Sequence, residues 1–341
     1  MTRLILKGVL GAGSLLVLLL SALVIEAGGW ENFKLQYYSL TQVFHDQTKE
    51  LQDLRQKDVD PASHSRIDLD QLLNGGPPKD GIPSIDAPQF DTPETTPFAA
   101  NETVIGVVVN GKAKAYPLGI MNWHEIVNDS VGGLPLSITY CPLCDTIAVV
   151  ERGDTTFGVS GKLYQSCLVM YDRNDDTLYA QPWTLGVVGP KVNHSLSRVP
   201  AVKTTLGNWL AQHPDSQILS TDTGYSRDYQ SYPYGSYNVD DQLIFPIRNQ
   251  ADLDQHPKAI VSYIWQASDQ TPHNRFAGDS HQFIHEQLRQ QGSQTVEFDG
   301  RQVRARWDDT LETVVVEELD GTVIPSSTAF AFVYPAFFGQ P

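Results

Sequence analysis

The chain has 341 residues, enough for one large domain or two of ordinary size. A hydrophobic content of 41% with 10% aromatic residues is typical of a packed globular protein and argues against disorder. The 24 Lys and Arg stand against 40 Asp and Glu, a formal charge of -16. This charge disfavours binding to nucleic acids and to anionic membrane surfaces, but it tolerates cationic ligands, including metal ions.

Residues 1–28 predict a membrane anchor. Arg3 and Lys7 precede an apolar run of about 17 residues, Val9 to Ile25, at the short end of what spans a bilayer. The run also fits the core of a signal peptide, but Ile25-Glu26-Ala27 is a poor cleavage site, so an uncleaved anchor is favoured. The leading positive charges predict that the rest of the chain lies outside the cytoplasm.

Residues 29–100 predict a helical stalk followed by a lead-in. Residues 29–58 are amphipathic and helix-prone, whereas residues 74–97 are rich in Pro, Asp and Gly, which break both helices and strands.

Residues 101–341 predict a β-rich α+β domain of mostly antiparallel strands with a few short helices. Asn110-Gly111, between two apolar runs, indicates a type I′ hairpin turn. Further strands are predicted over residues 134–140, 146–152, 156–160, 167–173, 217–220, 295–298, 302–307 and 313–318, and helices over 121–129, 205–213 and 280–290.

A degenerate internal repeat is a second hypothesis for this domain. Arg198-Val-Pro, followed by Trp209-Leu-Ala-Gln-His-Pro, resembles Val323-Ile-Pro, followed by Phe332-Val-Tyr-Pro. The halves would be about 101–245 and 246–341, and the second would be shorter and without cysteines.

The motif with the most reactive side chains is Cys141-Pro142-Leu143-Cys144. It places two thiols at one predicted turn between strands, a spacing that suits both a metal knuckle and a redox pair. A closed all-cysteine zinc site usually needs a second knuckle, and the chain has only one further cysteine, so such a site is excluded. Strands on both sides also disfavour thioredoxin-like chemistry, in which the pair opens a helix.

His124 is the imidazole nearest to this pair in sequence. As a third ligand it would complete a site of two thiolates and one imidazole, which suits copper or zinc. The alternative is a hydrogen-bonded histidine at a helix start, which spacing alone favours.

The third cysteine, Cys167, lies in the strand-like run CLVMYDR. Alternation along a strand places Cys167 and Met170 on opposite faces, so both reach one site only through a bulge. The simpler interpretation of Cys167 is a small buried hydrophobic residue.

Three further features of the sequence are explained without a catalytic residue or a metal site. Gly158-Val159-Ser160-Gly161 lacks the spacing of a nucleophile elbow and indicates a turn. His281 and His285 have a metal-binding spacing on a predicted helix, but an exposed helix face explains them better. The Tyr-rich stretch 224–237 is predicted to be an irregular loop.

Long motifs in a fixed order carry a resemblance to a known family. NWHEIVND, ITYCPLCDT, FGVSGKLYQSCLVMYDR, WLAQHPDSQILSTDTGYSRDY, YPYGSY and LIFPI resemble the prokaryotic domain-of-unknown-function family 3179, from about Thr103 to Phe338. The family has no established activity.

The resemblance implies that several segments form one core: the His124 segment, Cys141, Cys144, the Ser160-Gly161 turn, Tyr164, Tyr171-Asp172-Arg173 and Gln181. Two departures stand out. The family usually has a glycine where this chain has Asp145, and an acidic residue where it has Cys167. The second departure implies that Cys167 is not an indispensable ligand of a shared site.

Three functions follow as hypotheses. The first is a soft-metal site of Cys141, Cys144 and His124, holding copper or zinc, with Tyr140, Tyr164, Tyr171 and Met170 as walls. The second is a thiol-dependent oxidoreductase, or a hydrolase with His124 as base. The third is a non-enzymatic binding or structural module in which Cys141 and Cys144 form a disulfide or a knuckle that only clips a turn, and loop 224–237 contacts the ligand, for example a glycan. In all three the chain is exported and membrane-tethered.

Overall fold

The computed structural model describes residues 49–247, 255–268 and 273–339, and Ser21 alone of the predicted membrane segment. Among these residues, no helix is long and apolar enough to cross a membrane.

The helices are α1 (Lys49–Gln56), α2 (Leu118–His124), α3 (Leu206–Gln212), α4 (His285–Gln291) and α5 (Val333–Phe338), with 3-10 turns at Leu69–Gln71 and Gln181–Trp183. The first strands are β1 (Leu73–Asn74), β2 (Phe90–Asp91), β3 (Thr103–Val109), β4 (Lys112–Pro117), β5 (Ile126–Val131), β6 (Leu134–Cys141) and β7 (Thr146–Glu151). The next are β8 (Phe157–Tyr164), β9 (Cys167–Asp172), β10 (Leu178–Ala180), β11 (Leu185–Val188), β12 (Ala201–Thr205) and β13 (Gln217–Leu219). The last are β14 (Ile260–Ala267), β15 (Gly278–Ile284), β16 (Ser293–Phe298), β17 (Arg301–Asp308), β18 (Thr313–Glu318) and β19 (Ser327–Phe330).

The predicted β-rich fold class is confirmed, because 39% of the residues lie in strands and 14% in helices, and the strands pair mostly antiparallel. The sheets have the orders β1-β8-β9-β10-β11, β12-β3-β4-β13-β2, β15-β14-β19, β16-β17-β18 and β5-β6-β7. Strand β13 runs parallel to β4.

The β3–β4 hairpin forms as its turn residues predict. Asn110 and Gly111 both have positive φ, 50° and 72°, as a type I′ turn requires. On the same hairpin, a Cβ at Gly106 would lie 2.3 Å from the Trp209 ring, so the missing side chain lets α3 pack directly on β3.

The same order of elements occurs twice. The hairpin β3–β4 leads through α2 into the meander β5–β6–β7, and the hairpin β14–β15 leads through α4 into the meander β16–β17–β18. Strand β12 then returns to pair with β3, and β19 returns to pair with β14. In the first copy β8–β11 are inserted before the return strand. This order parallels the hypothesis of two repeats, the second shorter; the domain boundaries stay a prediction.

The largest apolar core lies around the inserted sheet. It contains all three cysteines and takes in the aromatic residues of α5. Leu54 of α1 is fully buried in it, so this end of the predicted stalk packs on the domain. Residues 29–48 of that stalk lie outside the described residues.

Two predicted helices are wrong in part. The first ends at His124, and Ile126–Val131 is a strand paired with β6 rather than more helix. The second begins only at His285, because residues 278–284 pair along their whole length with β14. That strand is rich in polar residues, and its pairing overrides a weak local preference. Strands β1, β2, β10, β11, β12, β14 and β19 and helix α5 were not predicted.

Candidate functional site

The CPLC turn joins β6 to β7. Cys141 is the last residue of β6 and pairs with Thr146. The Cys144 N–H donates to the Cys141 carbonyl at 3.2 Å, and the Phe330 N–H donates to the Cys144 carbonyl at 2.9 Å. The Tyr237 hydroxyl donates to the Leu143 carbonyl at 2.6 Å. The turn is therefore held by its own backbone, by β19 and by the Tyr-rich loop.

The third thiol joins the pair. Cys167 opens β9, and the next residue, Leu168, donates its N–H to the Cys141 sulfur at 3.3 Å. The Cys144 thiol interacts with both Cys141 and Cys167. All three cysteines are free and buried, so Cys167 is both a small core residue and a neighbour of the pair.

Burial holds these sulfurs in the thiol form. It raises the pKa of Cys141 and Cys144 well above the ordinary value and that of Cys167 to about 11. A thiol must lose its proton to act as a nucleophile or redox centre. The strands β6 and β7 flank the pair, as predicted, so no helix start lowers its pKa. The arrangement does not favour a reactive thiol.

His124 is committed to other partners. Its Nδ1–H donates to the Pro83 carbonyl at 2.7 Å, and its Nε2 accepts from the Tyr229 hydroxyl at 2.8 Å. Burial lowers the pKa of His124, which keeps the ring neutral with the proton on Nδ1. Both ring nitrogens are thus used, so the structure does not support His124 as a ligand beside the two thiols or as a base for them.

Glu125 is the residue at this place that the sequence analysis missed. It ends α2 with φ of 57° and is buried, and its carboxylate accepts from the Tyr234 hydroxyl at 3.1 Å. Burial raises the pKa of Glu125 to about 7. Its charge in turn contributes to the raised pKa of Cys141. In the sequence, the feature that could have indicated Glu125 is its position as an acidic residue between a helix-forming segment and an apolar strand.

The other residues that the sequence analysis placed near the thiols lie at different positions along β8 and β9. Tyr164 pairs with Cys167 across the hairpin and packs its ring on Trp183, with centroids 5.4 Å apart. Met170 is fully buried and lies further along β9, opposite Val159.

Tyr171, Asp172 and Arg173 belong to a different cluster at the far end of β9. The Tyr171 hydroxyl donates to Asp80 at 2.5 Å, and Arg173 pairs with Asp86 at 2.6 Å. Asp172 pairs with Lys191 at 2.6 Å. At about 3.3 Å per strand residue, Tyr171 lies roughly 13 Å along the strand from Cys167, so this cluster does not wall the thiols.

The structure corrects the explanations of two remaining motifs: residues 158–161 lie within strand β8 rather than at a turn, and His281 and His285 do not form an exposed helix face. The buried Ser160 hydroxyl donates to the Val169 carbonyl at a bulge in β8, and Gly161 has φ of 77°. His281 lies on β15 and His285 begins α4, so the two do not share a helix face as predicted. Gln181 is buried and donates to Thr139 and to the Thr146 carbonyl, beside the strands of the CPLC turn.

A cavity of about 420 Å³, here called the first turn pocket, opens on the CPLC turn. Tyr140, Pro142 and Asp145 come from the turn, Lys203 comes from β12, and Tyr232 comes from the Tyr-rich loop. The rest of the lining consists of Asn101, Glu102, Thr103, Leu118, Gly119, Asn122, Tyr229, Gln230, Ser231, Asn238 and Phe330.

An ion pair lies at the base of this pocket. Asp145 has φ of 52°, which explains why a glycine suits this position in the family that the sequence resembles. Its carboxylate accepts from the Tyr140 hydroxyl at 2.9 Å and from the Lys203 ammonium. The left-handed conformation costs a non-glycine residue free energy. The Asp145 side chain, however, makes two polar contacts that a glycine could not make.

Two further lining residues, Asn122 and Glu102, have polar side chains with different hydrogen bonding. The Asn122 side-chain oxygen is buried and has no hydrogen-bond partner among the described residues. Glu102 accepts the Gly119 N–H at 2.8 Å, and burial raises its pKa.

The described residues contain no group of three or more His, Cys, Asp or Glu side chains that could hold a metal ion. The copper or zinc site at Cys141, Cys144 and His124 stays a prediction.

Comparison with known proteins gives one match. The family model "Protein of unknown function (DUF3179)" matches residues 79–324. The match begins in the lead-in, earlier than the resemblance in the sequence indicated, and ends before α5. No curated protein and no solved structure matches the chain. Because the model covers most of the sequence, the chain belongs to the DUF3179 family.

Proposed function

We propose that this chain is a binding protein for a small, uncharged, hydroxyl-rich ligand, and that the ligand occupies the first turn pocket. The observation that carries the proposal is the polar cavity between the CPLC turn and the Tyr-rich loop. Its volume of about 420 Å³ falls in the range of small-molecule sites.

The lining favours this class of ligand. Lys203 is already paired with Asp145, so among the described residues the lining offers no unpaired cation for an anionic ligand. Glu102 accepts the Gly119 N–H, and burial raises its pKa, which disfavours its charged form. Amides, hydroxyls and tyrosine rings remain. Tyrosine combines an apolar face with a polar end, which suits a sugar ring with its C–H faces and hydroxyl edges.

The thiols have a structural role in this proposal. Cys141 and Cys144 lie beneath the turn that presents Tyr140 and Asp145, and their burial with Cys167 fixes that turn on the core. An oxidoreductase or a cysteine hydrolase is not proposed, because the thiols are buried, their pKa values are raised, and His124 is bonded elsewhere.

Calorimetric titration of the full-length chain with glucose, galactose, mannose and N-acetylglucosamine tests the proposal. We expect one of these sugars to bind, and Tyr232→Ala to weaken its binding by about tenfold or more, as loss of an aromatic contact does. Tyr225→Ala is the matched control, since Tyr225 belongs to the same loop, is 44% exposed and is not part of the lining. Failure of all four sugars to bind would reject the proposal.

A soft-metal site is the second candidate. It is favoured by the contact of Cys144 with both other thiols, since copper(I) binds two or three thiolates. Binding would have to displace protons that burial holds on the sulfurs. Elemental analysis of protein exported in the native way decides: stoichiometric copper or zinc that is lost in Cys144→Ser supports this candidate, and its absence excludes it.

Export and tethering by residues 1–28 are also part of the proposal. They rest on the positive start and the apolar run of the sequence. Protease added to intact spheroplasts should degrade the domain and leave cytoplasmic proteins intact. Full protection of the domain would contradict this orientation.

A further inference from the structure

The two copies of the repeated order agree residue by residue from α2 to β7 and from α4 to β18. Each helix has seven residues, and the three strands that follow have six, eight and six residues in both copies. One residue follows each helix, Glu125 or Gly292, and both have positive φ. Leu118 therefore corresponds to His285, and every later residue has a counterpart without a gap.

The CPLC turn has a counterpart in the second copy, between β17 and β18. Residues 142–145 correspond to residues 309–312. Asp145 and Glu312 occupy the same last position of the turn, with φ of 52° and 51°. An acidic residue in the left-handed region thus ends both turns.

Each turn is also held by the return strand of the other copy. The Cys144 carbonyl accepts from the Phe330 N–H of β19, and its counterpart, the Leu311 carbonyl, accepts from the Thr204 hydroxyl of β12. Each return strand therefore pairs within its own copy and also donates to the corresponding turn carbonyl of the other copy.

A second cavity, of about 340 Å³, lies at the second turn. It uses the positions that the first turn pocket uses. The first, second and fifth residues of a helix line each cavity: Leu118, Gly119 and Asn122 in one, His285, Glu286 and Arg289 in the other. The seventh residue of the middle strand is aromatic in both, Tyr140 and Trp307.

The two cavities share a wall. Thr103 and Lys203 line both of them. In addition, Phe330 lines the first and Ile260 lines the second, and these two residues are paired neighbours on β19 and β14. The cavities therefore adjoin rather than lying on separate faces.

We propose that the second cavity is a second subsite and that the ligand is a linear oligosaccharide of uncharged sugars that spans both. This inference rests on the proposed function of the first turn pocket. The second subsite offers the Trp307 ring for stacking, and the Glu312 carboxylate and Arg289 guanidinium for hydroxyls. Arg289 already pairs with Glu286 at 2.9 Å, so this subsite too provides no unbalanced cation. Corresponding subsites suit a ligand made of repeated units.

Titration of the full-length chain with β-1,4-linked glucose and N-acetylglucosamine oligomers of one to four units tests the inference. We expect the tetramer to bind about tenfold tighter than the monomer or better, because the second contact is intramolecular once the first has formed. Trp307→Ala should reduce the affinity for the tetramer by about tenfold and that for the monomer much less.

Controls separate folding from binding. Trp307 is partly buried, so Glu312→Gln, which keeps the shape of the side chain, is the second variant and should also weaken the tetramer more than the monomer. Glu297→Gln, on an exposed strand position outside both cavities, should change neither. If no saccharide binds, the proposed function itself fails. If the monomer binds, but affinity is independent of length and of both variants, the second subsite is rejected and the first remains.

Discussion

The buried ion pair between Asp145 and Lys203 makes a quantitative prediction about the CPLC turn. Replacing Asp145 with glycine restores the residue that is usual in the family that the sequence resembles, and it removes the steric cost of a Cβ in the left-handed conformation. It also removes the acceptor of two donors, the Lys203 ammonium and the Tyr140 hydroxyl.

The two effects have opposite signs and different sizes. Relief of the left-handed backbone stabilises by about 1 kcal/mol. The side chains of Asp145 and Lys203 are only 7% and 15% exposed, and breaking a buried pair from one side costs about 3–5 kcal/mol. Asp145→Gly should therefore lower the free energy of unfolding by about 2–4 kcal/mol. Lys203→Met should cost a similar amount, because it leaves the carboxylate buried without its cation.

Urea unfolding of the full-length chain, followed by tryptophan fluorescence, measures these changes for both single variants and the double variant. We expect a coupling free energy of about 2 kcal/mol or more, since the double variant removes both charges. Asp299→Gly is the matched control: Asp299 has φ of 49° in an exposed turn, so this change should be neutral or stabilise by up to about 1 kcal/mol. If Asp145→Gly behaves like this control, or if the coupling is zero, the pair does not hold the turn.

Two further predictions concern titratable groups in the core. Because the pKa of Glu125 is raised to about 7 from an ordinary 4.5, the folded chain keeps a proton that the unfolded chain loses; this contribution is complete below about pH 4.5 and is lost as the pH rises to about 7. Urea unfolding at a series of pH values should show a loss of about 3 kcal/mol across that window, which Glu125→Gln should abolish. The three buried thiols should resist iodoacetamide at pH 8 in the folded chain and react fully in urea, as mass spectrometry would show; rapid native labelling of Cys141 or Cys144 would contradict their burial and raised pKa.

Local signals in the sequence predicted the framework well. The Asn110-Gly111 turn, the strands around the CPLC turn and the meander β16–β18 follow from alternation and turn residues, which act over a few neighbours. Helix α4 and strand β15 show the limit of such signals. The run GDSHQFI has few apolar residues, and it becomes a strand because β14 lies beside it, which no local pattern reveals.

The candidate site shows the same limit. The pairing of Cys141 with Cys144 is evident from spacing, whereas the approach of Cys167 depends on the inserted hairpin β8–β9 and the fold around it. His124 is close to the pair in sequence, but its imidazole turns to Pro83 and Tyr229, which lie 41 and 105 residues away along the chain. Distance along the chain was therefore a poor guide to ligand sets.

The second turn indicates which features of the first one matter. Cys141 corresponds to Asp308, whose carboxylate accepts the N–H groups of Thr310 at 3.0 Å and Leu311 at 2.9 Å. A carboxylate thus fixes the second turn from within, whereas buried sulfurs on an apolar core fix the first. Both solutions present an aromatic ring on the middle strand and an acidic residue at the left-handed end of the turn. Since a cavity of similar size forms at both turns, the thiols are one of two ways to build this pocket, and the chemistry of the site lies in the groups that the turns present.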